Sequence, residues 1–291
     1  MKQNVSKALK IGHERTCRCP QNRINCLTAK EWMKSQVAIW EFYYERRDIR
    51  DKRIHPAVFP IALPKKCIQL FTHEGELVLD PFAGIGTTLL AAQDTNRNAV
   101  GFDLKQRYID FSRRRLQSDP TRSTRQVAVR EDARRIPEYI EEKTVSLCVA
   151  SPPYANMLNR PRKNKSIRGD LREKQHYLDI QQYSNDPRDL GTMDVKDYAY
   201  ALEEIYRGIQ PLLKIKAHCV INLADFWWNN KRVPVHIDVV EAMERAGFEL
   251  RNTIIWDRRN IVNKMGIFGW PNNYIAMGTT FEYILDFWRP P

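Results

Sequence analysis

The chain has 291 residues, of which 43% are hydrophobic and 28% are charged, and its formal net charge is +12. No apolar run approaches the roughly 20 residues that span a bilayer, and no apolar signal-peptide core follows the N-terminus, so we expect a soluble cytoplasmic protein without a membrane partner. The excess of basic charge favours a polyanionic partner such as nucleic acid.

The first part of the chain is a basic arm that leads into a helix. Residues 1 to about 30 are polar and show no clear periodicity. Thr28 is a suitable N-cap for a helix, and Val37, Trp40 and Tyr44 form an apolar stripe at helical spacing. We therefore predict an N-terminal arm and helix over residues 1–52 and one main domain over residues 53–291.

Three of the six cysteines lie in the arm, at Cys17, Cys19 and Cys26. Together with His13 they could supply four ligands to a zinc ion. Because the Cys-x-Cys spacing is unusual for such a site, we interpret this segment as a small ordered loop and predict no metal site.

An alternation of strands and helices begins at residue 76. The first half contains four predicted strands, over residues 76–80, 99–103, 127–132 and 145–150. After a polar interruption the pattern continues with a helix over 197–213, a strand over 218–223, a helix over 235–246 and strands over 252–256 and 281–288. This order predicts an α/β fold with a parallel sheet and right-handed crossovers.

The turns after the first strands carry residues suited to a nucleoside ligand. Gly84 and Gly86 let the backbone approach a ligand closely. Asp103 can accept hydrogen bonds from both ribose hydroxyls, and Asp132 can accept one from an adenine amino group. Asp80 would repel phosphate and suit a cationic group, which argues against a dinucleotide. Each of these acids could instead be a helix N-cap.

Ser151-Pro152-Pro153-Tyr154 follows the fourth strand. The two prolines cannot donate ladder hydrogen bonds, so they end the strand. The result is a rigid turn with a hydroxyl before it and an aromatic ring after it. It lies at the edge of the sheet where open α/β folds bind ligands. The alternative is a proline-rich loop with a packed tyrosine.

With these motifs, the chain from about residue 55 to 288 resembles the S-adenosylmethionine-dependent amino-methyltransferases that modify exocyclic amines in DNA. Residues 80–87 are similar to the cofactor loop of that family, and residues 55–60 to the segment that closes over the methionine part. The resemblance implies a Rossmann-like class I methyltransferase fold, with a mostly parallel sheet, an antiparallel last strand and helices on both faces. It also implies S-adenosylmethionine as cofactor, bound by His55, Phe59, Asp80, Phe82, Gly84, Gly86, Thr87, Asp103 and Asp132.

The same resemblance makes Ser151, Pro152, Pro153 and Tyr154 the catalytic motif. The Ser151 hydroxyl and the Pro152 carbonyl could accept hydrogen bonds from the target amine, and Tyr154 would stack on a base flipped out of the duplex. In the family, serine at the first position goes mostly with cytosine N4, and aspartate or asparagine mostly with adenine N6. We therefore predict a DNA cytosine-N4 methyltransferase, with an adenine-N6 enzyme as the alternative.

Other chemistries fit the sequence less well. Methylation at carbon 5 of cytosine needs a cysteine nucleophile, which that family places in a Pro-Cys dipeptide absent from this chain. An RNA amino-methyltransferase and a non-catalytic DNA-binding protein with this fold are the remaining alternatives. The cofactor motif precedes the catalytic motif, whereas many Ser-Pro-Pro-Tyr enzymes have the reverse order.

The candidates for DNA recognition are two basic segments, the insert over residues 155–190 and the segment over 258–273, together with the N-terminal arm. A solvated run of charges is the alternative for the first. Double-stranded DNA is the expected partner, with a second copy of the chain or a cognate restriction endonuclease as further candidates. The predicted DNA-binding residues are Arg160, Arg162, Lys163, Lys165, Arg168, Arg172, Arg258 and Arg259.

Overall fold

The computed structural model describes residues 7–51, 58–116, 123–155, 186–228, 231–260 and 279–291. The strands in these ranges are β1 (Ile39–Glu41), β2 (Leu77–Asp80), β3 (Asn98–Asp103), β4 (Gln126–Arg130), β5 (Val145–Ala150), β6 (Leu213–Leu223), β7 (Phe226–Trp228), β8 (Lys231–Val233), β9 (Glu249–Asp257) and β10 (Phe281–Trp288). The helices are α1 (Ala29–Ser35), α2 (Arg46–Asp51), α3 (Ala62–Phe71), α4 (Thr87–Asp94), α5 (Gln106–Arg115), α6 (Val195–Ile209) and α7 (Val235–Arg245), with 3₁₀ turns at Ala133–Glu138, Leu190–Thr192 and Gln210–Leu212.

One sheet of eight strands organises the fold, in the order β1-β9-β10-β6-β5-β2-β3-β4. Neighbouring strands run parallel except β10, which is antiparallel to both β6 and β9. The strands β7 and β8 form a separate antiparallel pair. The predicted fold class, a mostly parallel sheet with an antiparallel last strand, is confirmed.

The central strands are buried on both faces. All residues of β2 and of β5 are buried, as expected of parallel strands covered by helices on each side. Alternate residues of β2 face different cores: Leu77 and Leu79 pack with residues of α6 and α7, and Val78 packs with residues of α3 and α4. Helices therefore cover both faces of the sheet, as predicted.

The C-terminal ends of three neighbouring strands position the candidate site. Strand β2 lies between β3 and β5 in the sheet. Because all three are parallel, the turn after β2, the end of β3 at Asp103 and the residues after β5 meet at one edge. The predicted cofactor turn and Ser151 are thereby brought side by side, although about 70 residues of chain separate them.

The N-terminal helix is shorter than predicted. Thr28 caps α1 through a capping box with Glu31, as the sequence indicated. The helix ends at Ser35, and Trp40 lies in β1, which pairs in parallel with β9 at the edge of the main sheet. The apolar stripe through Trp40 and Tyr44 is therefore not a helical face, since pairing with β9 buries Trp40 in extended backbone. Among the described residues, no helix is both long and apolar enough to cross a membrane.

Candidate active site

A crevice that is partly open to solvent lies at the C-terminal edge of β2, β3 and β5, and its empty space, open solvent included, is about 890 Å³. Nine of the predicted site residues line it, namely Phe59, Phe82, Gly84, Thr87, Asp103, Asp132, Ser151, Pro152 and Pro153. Asp80, Gly86 and Tyr154 are outside the lining, and His55 lies outside the described residues. The two predicted halves of the site, for cofactor and for target amine, therefore share one crevice.

The turn after β2 depends on two glycines in the left-handed backbone region. Gly84 has φ 50° and Gly86 has φ 77°, the latter at the N-terminus of α4. A Cβ atom on Gly86 would lie 2.0 Å from the Ser112 hydroxyl oxygen of α5. A side chain at this position would thus suffer both backbone strain and a collision, which explains why the sequence has glycine there.

The buried Asp80 side chain stabilises this turn. Its carboxylate accepts the Phe82 N–H at 3.0 Å, and only 1% of the residue is exposed. Burial raises the pKa of Asp80 to about 7. Because Asp80 is not part of the crevice lining, its observed role is to shape the turn, and a direct contact with a cationic group stays a prediction.

Asp103 does line the crevice. Its two oxygens accept one backbone N–H each, from Gly84 at 3.0 Å and from Lys105 at 2.8 Å. Burial raises the pKa of Asp103 to about 6. A carboxylate oxygen has about two lone-pair sites, so each oxygen can accept one further hydrogen bond. This arrangement suits the two adjacent hydroxyls of a ribose.

Asp132 is the N-cap of the 3₁₀ turn Ala133–Glu138. An N-cap role is the alternative that the sequence analysis raised for these acids. Its carboxylate accepts the Arg134 N–H at 2.9 Å and forms an ion pair with the Arg134 guanidinium at 3.3 Å. Asp132 also lines the crevice. The contact with an adenine amino group stays a prediction that this placement permits.

The catalytic motif continues directly from β5, and its tyrosine points away from solvent. Tyr154 is 8% exposed and belongs to the core that contains α6. Its hydroxyl oxygen lies 3.0 Å from the Ser151 hydroxyl. Ser151 is half-buried and lines the crevice. A ring that stacks on a base must expose one face, so the stacking role of Tyr154 stays a prediction.

Two buried residues that the sequence analysis missed complete this network. Asn222 of β6 donates to the Tyr154 hydroxyl at 3.2 Å and to the Glu282 carboxylate at 2.8 Å. The Tyr154 hydroxyl also donates to Glu282 of β10 at 3.3 Å. The available signal was a polar residue within an apolar stretch of each strand, residues 219–223 and 281–285, where an unpaired polar group is costly.

Both described arginines of the predicted DNA-binding set form ion pairs within the protein. Arg258 pairs with Glu282 and lies over the Trp256 ring, 4.9 Å from its centroid. Arg259 forms an ion pair with Asp257 at 2.6 Å, and its side chain is 76% exposed. Arg258 therefore belongs to the network beneath the catalytic motif. The remaining six, Arg160, Arg162, Lys163, Lys165, Arg168 and Arg172, lie outside the described residues.

The donor set of the crevice fits S-adenosylmethionine. Apolar and aromatic walls come from Phe59, Phe82, Tyr108 and Leu190, and acidic side chains come from Asp103, Glu131, Asp132 and Asp189. Acids suit the cationic sulfonium and ammonium groups of this cofactor, and ring walls suit its adenine. Lys105, Asp189 and Leu190 are further lining residues that the sequence analysis did not single out.

Comparisons with known proteins agree with the motifs. Residues 2–114 match the family model described as DNA methylase (N6_N4_Mtase), a stretch that includes the cofactor turn and Asp103 and ends before Ser151. The Type II methyltransferase M.HpaI of Haemophilus parainfluenzae is 35% identical over 81 residues, 28% of this chain and 26% of the relative. The Type II methyltransferase M.HindIII of Haemophilus influenzae is 53% identical over 53 residues, 18% of this chain and 17% of the relative.

The fold is also similar to that of a solved structure. A chain of the Haloferax volcanii complex between the Trm112 methyltransferase activator and a methyltransferase superposes with a TM-score of 0.51, at 12% identity, over 84% of this chain and 94% of that one. At this identity the likeness shows the fold alone. The matches to the first curated relatives span about a quarter of their length, 26% for both M.HpaI and M.BglI. These matches confirm the resemblance to the DNA amino-methyltransferases that the motifs indicated, and S-adenosylmethionine is the cofactor that this resemblance implies.

Proposed function

We propose that the protein transfers a methyl group from S-adenosylmethionine to the exocyclic N4 of cytosine in double-stranded DNA. The observation that carries this proposal is the position of Ser151. Ser151 lines the crevice next to the cofactor turn, and its hydroxyl oxygen lies 3.0 Å from the Tyr154 hydroxyl.

The cofactor half of the crevice is assigned to Asp103, Asp132 and the turn that contains Gly84. Asp103 would accept the ribose hydroxyls, Asp132 would accept the adenine amino group, and Phe59 and Phe82 would cover the apolar faces. When bound, S-adenosylmethionine supplies an activated methyl group on a sulfonium ion. The task that remains for the protein is to orient the amine and to accept its proton.

The hydrogen bonds around Tyr154 leave the Ser151 oxygen free to accept. Glu282 can only accept, so the Tyr154 proton is directed to that carboxylate, and Asn222 donates to the Tyr154 oxygen. Ser151 then donates its own proton to Tyr154, and both of its lone pairs are available to the target amine. Ser151 and the Pro152 carbonyl would thereby hold the amine in a more tetrahedral geometry, in which its lone pair is less delocalised into the ring.

This network also gives the departing proton a destination. Transfer forms a carbon–nitrogen bond, breaks the carbon–sulfur bond and leaves one surplus proton on the amine. Ser151 and Tyr154 connect the amine to Glu282, which forms an ion pair with the Arg258 guanidinium. Serine at the first motif position supports cytosine N4 as the target, and Pro152 and Pro153, which line the crevice, could contact a flipped base.

The test is transfer from tritiated S-adenosylmethionine to duplex DNA of mixed sequence, followed by digestion to nucleosides and identification of the labelled one. Label in N4-methylcytosine is expected. Label in N6-methyladenine would replace cytosine by adenine as the target, label only in RNA would replace the substrate, and no transfer to any nucleic acid would support the binding-only alternative.

A matched pair of variants checks the assignment of Ser151. Ser151→Ala should lose most of the transfer while binding S-adenosylmethionine normally. Ser146→Ala is the control, because Ser146 lies in the same strand run and its buried hydroxyl has no hydrogen-bond partner among the described residues. It should keep full activity.

A further inference from the structure

Four metal-ligand side chains meet at the base of the N-terminal arm, away from the crevice. The Sγ atoms of Cys17, Cys19 and Cys26 and a ring nitrogen of His73 all lie within 4.8 Å of one another. The three cysteines are half-buried and free, and His73 is buried. His73 lies 47 residues after Cys26 in sequence, in the turn between α3 and β2, so the cluster joins two distant segments.

The spacing matches a tetrahedral zinc site. Zinc–sulfur distances of about 2.3 Å and zinc–nitrogen distances of about 2.0–2.1 Å place tetrahedral ligand atoms about 3.5–3.8 Å apart. The His73 Nδ1 atom lies 3.2 Å from the Cys17 Sγ and 3.6 Å from the Cys26 Sγ. Both separations are close to the nitrogen–sulfur value for a tetrahedral site, and the other pairs of ligand atoms lie within 4.8 Å of one another.

The second ring nitrogen of His73 fixes its tautomer. The Nε2 atom lies 2.9 Å from the Arg23 carbonyl oxygen, which can only accept. Nε2 therefore carries the proton, and Nδ1 presents a lone pair to the sulfur atoms. Metal-binding histidines are oriented in this way, with the other nitrogen donating to a carbonyl or carboxylate. A histidine that only filled the core would not need its lone pair directed at three thiols.

The backbone around the cluster is built to hold it. The Glu74 N–H donates to the Cys26 Sγ at 3.4 Å, and the Thr16 N–H donates to the Glu74 carbonyl at 2.8 Å. Gly75 has φ 85°, and a Cβ atom there would lie 2.6 Å from the Glu14 carbonyl oxygen. The arm and the turn thus approach so closely that there is no space for a side chain at Gly75.

Charge balance also favours a metal. Zinc with three thiolates and a neutral imidazole carries one negative charge, and the buried guanidinium of Arg97 interacts electrostatically with Cys17 and Cys26. A disulfide would join only two of the three sulfurs and would leave the third without a role.

We propose that Cys17, Cys19, Cys26 and His73 bind one zinc ion. Four protein ligands leave no open position, as in structural rather than catalytic zinc sites. The ion fastens the N-terminal arm to the turn that leads into β2, the strand that carries the cofactor loop. The sequence analysis predicted a loop without metal because the Cys-x-Cys spacing is unusual for a zinc site, and the histidine that it considered as the fourth ligand was His13. His13 instead pairs with Glu14 at 3.1 Å.

The primary test is the metal content of the full chain, purified under reducing conditions and measured by mass spectrometry. We expect about one zinc ion per chain. Replacement by cobalt(II) should give the intense visible absorption of a tetrahedral site and a thiolate-to-metal charge-transfer band. A folded protein that contains no zinc and gives no tetrahedral cobalt spectrum would overturn the proposal.

Variants identify the ligands. Cys26→Ser and His73→Ala should lose the metal, whereas His73→Cys should keep it with a cobalt spectrum shifted toward four thiolates. His13→Ala is the matched control and should retain one zinc ion. If the loss variants do not fold, the wild-type cobalt spectrum and the His73→Cys shift still decide. Zinc retained by both loss variants would refute this ligand set.

A chelator experiment tests the structural role apart from methyl transfer. Removal of zinc should lower the melting temperature by about 5 °C or more, because metal binding to the folded state alone stabilises it. Restoring zinc should reverse the shift. An unchanged melting temperature after complete removal would refute the structural role.

Discussion

Tyr154→Phe tests the network beneath Ser151 most directly. The change removes a single hydroxyl and with it contacts to Ser151 at 3.0 Å, Asn222 at 3.2 Å and Glu282 at 3.3 Å. Asn222 still donates to Glu282 at 2.8 Å, and Arg258 still pairs with Glu282. No partner in the core is left alone, so we expect a loss of about 1 kcal/mol in the free energy of unfolding.

The effect on catalysis should be larger than the effect on stability. Without the Tyr154 hydroxyl as acceptor, the Ser151 hydroxyl can rotate and point its proton at the target amine. In that orientation Ser151 no longer accepts the hydrogen bond from the amine as well. Misplacement of this kind should lower the rate of methyl transfer about tenfold to a hundredfold, or about 1.4–2.7 kcal/mol. The dissociation constant of S-adenosylmethionine should be unchanged, because Tyr154 does not line the crevice.

The assay is single-turnover transfer to duplex DNA, with cofactor affinity measured by calorimetry and stability by urea denaturation. Tyr206→Phe is the matched control, since Tyr206 is fully buried and its hydroxyl has no hydrogen-bond partner among the described residues. This control should transfer methyl groups at the wild-type rate. A Tyr154→Phe rate equal to wild type, or a weakened cofactor affinity, would refute the assigned direction of hydrogen bonding.

Two further predictions concern the cofactor turn. The pKa of Asp103 is raised to about 6, so its charged form is present above that pH and is lost below it. Calorimetry should therefore find the affinity for S-adenosylmethionine about tenfold weaker at pH 5 than at pH 7, and Asp103→Asn should remove this dependence; an unchanged pH profile in the variant would contradict it. Gly86→Ala should lower the free energy of unfolding in urea by about 2 kcal/mol or more, because of its positive φ and the Ser112 collision. Gly208→Ala in α6 should be close to neutral, because the tight 3.3 Å contact of its Cβ atom with Pro137 is offset by the higher helix propensity of alanine. Equal losses in the two variants would refute the strain argument.

The cofactor half of the site could be predicted from sequence because its parts are close together in the chain. The strand before the turn, the two glycines and Asp103 all lie within residues 77–103. The strands β2 and β3 follow one another in the chain and pair in parallel. Each local signal has a direct physical cause: an apolar run, a positive φ or an acid at a strand end. The structure places them as those causes require.

The parts of the site that the sequence analysis did not predict depend on contacts between segments that are distant in the chain. Asn222 and Glu282 lie 68 and 128 residues after Tyr154, and nothing in their local sequence shows which strand each adjoins. The arm was misjudged for the same reason. Its Trp40 matched helical spacing, but pairing of β1 with β9, more than 200 residues away, decided its conformation.

The direction of β10 determines what the last strand can contribute to the site. Glu282 is the second residue of β10. The antiparallel pairing of Ile284 with Asn222 brings the N-terminal end of β10 to the edge of the sheet where β6 ends. A parallel strand would present its final residues, near Trp288, at that edge instead. The antiparallel strand therefore delivers a carboxylate beneath Ser151 from the start of its run, and the position of Arg258, which follows the end of the adjacent β9, supplies the opposite charge. The antiparallel direction of β10 thus positions Glu282, the acceptor of the proposed proton path.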